Sequence, residues 1–225
     1  MSCKVQQSVC SDCVTYVKSR IKFNTFNTFN NVKQKIITII GKSGAGKDTV
    51  ARMLSYVTGY EVLCSYTTRP MREGEVEGRE HHFVKECHTH KEKMLAYTEY
   101  GGYEYWTEVG QIKGTAIYVI DEKGLVALSE AFPDIDLVNI YVSAKPETLK
   151  ARGIDPNRTE RDEHRVRLDI DVFDYVVFNN GTEYDLFCTV TSIGRKLLNR
   201  DGIQLSEEEV RKALSKLIVA SLKLL

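Results

Sequence analysis

Two hydrophobic rhythms alternate along the middle of the chain. Lys35-Ile36-Ile37-Thr38-Ile39-Ile40 is β-branched and nearly unbroken in apolar character, short enough for a strand and apolar enough to be covered on both faces. Comparable runs at 116–120, 137–142 and 174–178 predict further buried strands. Helical spacing falls between them, after the glycines that follow residue 40 and at 124–131 and 145–152. Strands alternating with helices predict a parallel α/β sheet. Ser206 with Glu209 three residues on is a capping box, and apolar Val210, Leu214, Leu217, Ile218 and Leu225 after it predict a terminal helix over 206–225 packed on its own sheet. The stretch 60–110, rich in Tyr, Glu, Arg and His with short β-like pieces, breaks the alternation and predicts an inserted, β-rich sub-domain. Residues 1–34, with the Asn-Thr-Phe repeat of Asn24 to Asn31, read as a loosely ordered extension of a body spanning 35–225.

Charge narrows the function classes. With 31 Lys+Arg against 31 Asp+Glu in 225 residues, the chain has no surplus of basic residues with which to coat a nucleic-acid polymer. No apolar run reaches the roughly 20 residues that span a bilayer, and the N-terminal stretch is polar, so no membrane is expected and the address is cytoplasmic. Six scattered cysteines read as reduced thiols. Cys10 and Cys13 have the spacing of half a zinc site, and Cys87, His88 and His90 offer possible ligands, but the usual second Cys pair is missing and zinc is not expected.

Gly41-Lys42-Ser43-Gly44-Ala45-Gly46-Lys47 stands between the first buried strand and a helix. That context gives each residue a task. The glycines let backbone N–H groups turn onto a phosphate chain, the helix start adds a favourable dipole, and Lys47 reaches the outer phosphates. Gly41, Ser43, Gly44, Ala45, Gly46, Lys47, Asp48 and Thr49 are therefore expected to hold ATP, with Mg²⁺ as its partner ion. A hydroxyl residue normally follows the lysine. Here it is Asp48, with Thr49 one place later, and a carboxylate at that point is expected to meet the metal through water.

Downstream, Arg69 and Arg72 are preceded by Ser65, Thr67 and Thr68, a set of fork-shaped donors and hydroxyls suited to a phosphate monoester. Ser65-Tyr-Thr-Thr-Arg69-Pro-x-Arg72-x-Gly-Glu75-Val-x-Gly78, ending in Phe83, resembles the nucleotide-binding signature of the guanylate kinase family, and with the phosphate loop the similarity covers about 35–195. The resemblance implies a P-loop NTPase-type three-layer α/β fold with a parallel sheet, a monophosphate-binding insertion at 60–110 and an arginine-bearing lid at 151–168. It implies transfer of the γ-phosphoryl of ATP to a nucleoside monophosphate, with small nucleotides as the partners; a monomer and a homodimer both remain open.

Carried over by position, the resemblance puts Ser65, Arg69, Arg72 and Glu75 in the acceptor site, with Tyr105 and Thr107 where the family has a phosphate-contacting tyrosine and a base-contacting hydroxyl. Asp121 matches the second aspartate of Asp-x-Asp, and Asn179 an asparagine preceding the adenine region. Arg152, Arg158 and Arg167 fall in the lid that closes over the migrating group, joining Lys47 as catalytic candidates. Three positions depart from the family. A phosphate-contacting tyrosine falls on His81, the first aspartate of Asp-x-Asp on Val119, and the guanine-reading glutamate on Ala96, with Glu99 near but expected to face the other way. Without that carboxylate the guanine edge loses its acceptor, and base selection is expected to be relaxed. Two rivals keep the fold. A ribose 1,5-bisphosphate kinase suits Asp48 and Ala96, and a non-catalytic protein-binding module suits the three departures together.

Overall fold

The computed structural model of the chain describes residues 34–79, 81–153, 162 and 165–222. These belong to one compact unit, Lys33–Leu225, and the Asn-Thr-Phe repeat, Cys10, Cys13 and Arg158 lie outside the described residues. β1 (Lys35–Ile40) is followed by α1 (Lys47–Thr58) and β2 (Glu61–Val62). Four strands then build a separate sheet: β3 (Tyr66–Thr67), β4 (His82–Phe83), β5 (Met94–Tyr100) and β6 (Tyr103–Glu108). The chain returns through β7 (Thr115–Val119), α2 (Glu122–Ala131), β8 (Asp136–Ser143), α3 (Pro146–Ala151) and β9 (Tyr175–Phe178). It closes with α4 (Glu183–Arg200) and α5 (Glu207–Leu222).

The main sheet runs β2-β7-β1-β8-β9, all parallel, so β1 lies at its centre. Its isoleucines explain the three layers. Ile37 and Ile39 join Met53, Leu54, Phe187, Val190 and Leu197 in the core under α1 and α4, whereas Ile36 and Ile40 join Leu125 and Leu128 in the core under α2. Successive side chains of a strand point to opposite faces, so an unbroken apolar run requires a helix layer on each side. The chain leaves β1 toward one edge and returns to its other side at β8, which opens a crevice at the carboxyl ends of β1, β7 and β8.

Three departures from the sequence expectation have physical causes. β2 pairs with β7 at the edge of the main sheet, so the second sheet begins at Tyr66 and not at 60. The helix α4 fills the stretch after β9: Thr182 and Asp185 form a reciprocal capping box, and Leu186, Phe187, Val190, Ile193 and Leu197 line its buried face. Gly194 brings that face close, since a Cβ there would stand 2.8 Å from Val57 Cγ1 of α1. Finally, α5 packs mainly on α1, where Ala213 joins the core shared by α1, α4 and the sheet.

The turn out of β1 is held by close approach. A Cβ on Gly41 would overlap the Val142 carbonyl oxygen of β8, and one on Gly46, whose φ is +96°, would overlap the Asn179 amide. Gly59, which ends α1 at φ +76°, has nothing within 4 Å. Gly59→Ala is thus expected to cost about 1–2 kcal/mol for the left-handed backbone alone. Gly46→Ala must add displacement of Asn179, and urea unfolding should show the larger loss for it.

Candidate active site

Asn179 directly follows β9 and is 7% exposed. Its Nδ2 donates to the Ala45 carbonyl at 2.8 Å, and its backbone N–H to Ser143 at 2.8 Å, so it clamps the loop against the sheet. Arg152, just past α3, completes this side: Nη1 donates to the Gly44 carbonyl at 2.7 Å and Nη2 to the Asn179 carbonyl at 3.1 Å. Carbonyls held from behind leave the loop amides turned the other way, as anion binding needs. Lys47 Nζ donates to the Lys42 carbonyl at 3.1 Å, and Asp48 stands exposed in the first turn of α1, where a carboxylate complements the helix dipole.

The second sheet builds the other half. Arg69 is 7% exposed, and its guanidinium grips Glu75 through both oxygens, at 2.9 and 2.8 Å, while Glu75 also accepts from the Arg72 N–H at 2.7 Å. Phe83 lies under the guanidinium, 5.4 Å from carbon to ring centroid, and the Arg69 backbone N–H donates to Thr67 Oγ1 at 3.1 Å. Those charge-assisted bonds bring the Glu75 carboxyl down from 4.5 to about 2 and raise the Arg69 pKa. Ser65 Oγ meets His81 Nδ1 at 2.8 Å, and the His81 ring stands 5.7 Å from the Tyr105 ring. Burial, with Arg69 nearby, lowers the His81 pKa, although Glu75 and the Ser65 backbone pull the other way.

Ser65, Arg69, Glu75, His81 and Tyr105 therefore converge, with the Arg72 backbone joined through Glu75. Thr107 is different. It is fully buried, and its hydroxyl donates to the Tyr118 hydroxyl of β7 at 2.9 Å. Ala96 stands opposite Thr107 in the β5–β6 ladder. Glu99 is paired with Glu104 on the reverse face, beside Trp106 and the Tyr97 hydroxyl that donates to Glu104 at 2.9 Å, so it offers no carboxylate beside Ala96. Asp121 caps α2, accepting from the Gly124 N–H at 2.7 Å, with its side chain at the carboxyl end of β7. Arg167 is exposed.

Three charged residues that the sequence alone did not single out are drawn toward the loop. The Ser43 N–H donates to Asp162 Oδ2 at 2.7 Å. Arg165 Nη1 donates to Asp162 Oδ1 at 3.2 Å and to the Gly41 carbonyl at 2.9 Å, while Nε donates to Glu122 Oε2 at 2.6 Å. Glu122 is 6% exposed at the start of α2, and Arg165 is held protonated by the two carboxylates against the opposing cost of burial. The spacing of Asp162 and Arg165, three apart, carried only the signal of an ordinary helical ion pair.

Acid should break the Arg69–Glu75 pair only well below the ordinary carboxylate range. A carboxylate whose pKa is lower in the folded state stabilises above its unfolded value, and that stabilisation is lost as pH falls from 4.5 toward about 2. Denaturant midpoints measured across that window are expected to fall more steeply for the native chain than for Glu75→Gln, which has nothing to protonate there.

The family model for guanylate kinase matches residues 33–185. The guanylate kinase of Neisseria gonorrhoeae is 32% identical over 172 residues, covering 67% of this chain and 82% of that protein. That of Chlorobium luteolum is 28% identical over 183 residues, covering 72% and 92%. In fold, the chain is similar to the crystal structure of guanylate kinase from Anaplasma phagocytophilum, with a TM-score of 0.53 at 21% identity over 74% of this chain and 87% of that one. A glycine loop clamped by Asn179, an Arg69–Glu75 pair on the second sheet, and similarity across the stretches that carry both together place this chain in the guanylate kinase family.

Proposed function

We propose that the chain transfers the γ-phosphoryl group of ATP to a nucleoside monophosphate, with relaxed selection of the base. The observation that carries this reading is the convergence of Ser65, Arg69, Glu75, His81 and Tyr105 into one cluster on the second sheet, in a chain whose Gly41 to Lys47 loop is clamped through its carbonyls by Asn179 and Arg152. Phosphoryl transfer asks little covalent chemistry of a protein. Its work is to bring donor and acceptor into line and to offset charge on the migrating group. Lys47 and the loop amides would hold the donor and Arg69 and Tyr105 the acceptor phosphate, while exposed Arg167 would approach the migrating group and Arg152 would have to release the Gly44 and Asn179 carbonyls to join it. Guanylate kinases as named relatives support the same reaction.

Mg²⁺ fits the donor set. The ion commonly takes one or two carboxylates plus substrate phosphates and water rather than an all-protein cage. Asp48 and Asp121 stand exposed at the carboxyl ends of β1 and β7, and no group of three His, Cys, Asp or Glu suited to a metal is found among the described residues. Asp48 would hold a metal water, and the bound ion would supply further neutralisation of phosphate charge. No helix among the described residues is long and apolar enough to cross a membrane, and a cytoplasmic setting, where ATP and its acceptor meet, belongs to the same reading.

The base end has lost its reader. Ala96 supplies no acceptor for the N1 and N2 donors of guanine, and the Thr107 hydroxyl is taken up by Tyr118. The ribose 1,5-bisphosphate and protein-module readings are not favoured, given an assembled monophosphate fork and relatives that are guanylate kinases.

Coupled ATP turnover against GMP, IMP, AMP and UMP, with Mg²⁺, tests the proposal. Transfer is expected, with kcat/KM for GMP within roughly 10-fold of that for IMP, because no carboxylate rewards the 2-amino group. Lys47→Ala should lower turnover by at least about 100-fold. A folded preparation that phosphorylates none of these acceptors would sink the reading.

A further inference from the structure

The geometry points to Asp162 as an internal stand-in for nucleotide phosphate: its carboxylate occupies the anion position of the phosphate loop and must leave before ATP can enter. This inference rests on the loop being an ATP site. Asp162 Oδ2 accepts from the Ser43 N–H at 2.7 Å, and Oδ1 lies 3.4 Å from Ser43 Oγ. Ser43 sits between the loop glycines and is 5% exposed, so its amide is a donor that a phosphate oxygen would use. The carboxylate side chain is 9% exposed, which makes this a sequestered contact rather than a surface ion pair.

Arg165 makes the contact hold. It lies between Asp162 and Glu122 and donates to the Gly41 carbonyl at the first residue of the same loop. Asp162, Arg165 and Glu122 thus join the loop to the start of α2 in an unbroken chain of charge-assisted bonds. Two carboxylates share one guanidinium, so one negative charge is left over, and it is directed at the loop amide. A triphosphate brings several more negative charges to the same amides. Carboxylate and phosphate cannot share the position, and binding one expels the other.

The arrangement also says what removing Asp162 leaves behind. Arg165 keeps Glu122, at 2.6 Å, and the Gly41 carbonyl, so no buried charge is stranded. Replacing Arg165 instead would leave two carboxylates facing each other, which makes it the poorer probe.

If the ligand-free protein holds the clasp in roughly 90–99% of molecules, apparent affinity is reduced by that occupancy, roughly 10- to 100-fold. The test is calorimetric titration of the full chain, its Asp162→Ala and Asp162→Asn variants, and Lys47→Ala as a loop control, with inorganic tripolyphosphate and with ATP. Both Asp162 variants are expected to bind both probes roughly 10- to 100-fold more tightly than the native chain. Their ligand-free Tm should fall while the rise in Tm on adding tripolyphosphate grows. A brace with no ligand-like role would lose stability and affinity together. Unchanged or weaker binding of tripolyphosphate by both variants, or binding by none of the proteins, overturns the inference. Tripolyphosphate needs no acceptor, so tighter binding without transfer to any nucleoside monophosphate would uphold the clasp while refuting the proposed reaction.

Discussion

The structure depends on how closely the turn after β1 is pressed against its neighbours. Gly41 lies so near the Val142 carbonyl, and Gly46 so near the Asn179 amide, that neither position admits a side chain. That closeness lets Asn179 and Arg152 satisfy the loop carbonyls from behind. A backbone whose carbonyls are held on one side presents its N–H groups on the other, and a row of such donors without an anion is electrostatically unfavourable. The placing of β8 beside β1, with β9 at the edge beyond it, therefore serves the turn as much as the sheet.

Local positive charge is answered by carboxylates on both sheets. Glu75 grips Arg69 through two oxygens, and Asp162 takes the Ser43 amide with Arg165 and Glu122 behind it. Buried donors left without acceptors would cost more than the pairs do, and this chain draws its acceptors from its own acidic residues. The equal totals of acidic and basic residues are consistent with that arrangement: charge is balanced over the chain yet concentrated within one cleft.

On the acceptor side, packing separates neighbouring residues into different roles. Tyr105 and Thr107 share a face of β6, but Tyr105 joins the His81 and Arg69 cluster, whereas Thr107 is drawn under β7 by the Tyr118 hydroxyl. Burial pushes the Tyr118 hydroxyl up to about 12, so the pair remains neutral throughout ordinary pH. The same alternation sends Glu99 to the reverse face with Glu104. Ala96 and the core-bonded Thr107 thus stand opposite each other with no carboxylate between them.

Much of this was legible in the chain itself, because the responsible forces are local. The β-branched run before Gly41, the glycine spacing up to Lys47 and the sequence from Ser65 to Glu75 carry their meaning in neighbouring residues, and alternation of strand and helix follows from periodicity. Even α4 had its signals, a Thr182–Asp185 capping box and an apolar stripe from Leu186 to Leu197. What the chain alone does not disclose is which distant partner a polar side chain finds. Thr107 and Tyr118 lie on different sheets, Asn179 reaches across 134 residues to Ala45, and Asp162 reaches across 119 to Ser43. Local pattern determined the strand, the loop and the helix; only tertiary packing decided which hydroxyl is consumed, which carboxylate meets the loop, and which charges leave the solvent, because those outcomes depend on burial that sequence spacing does not encode.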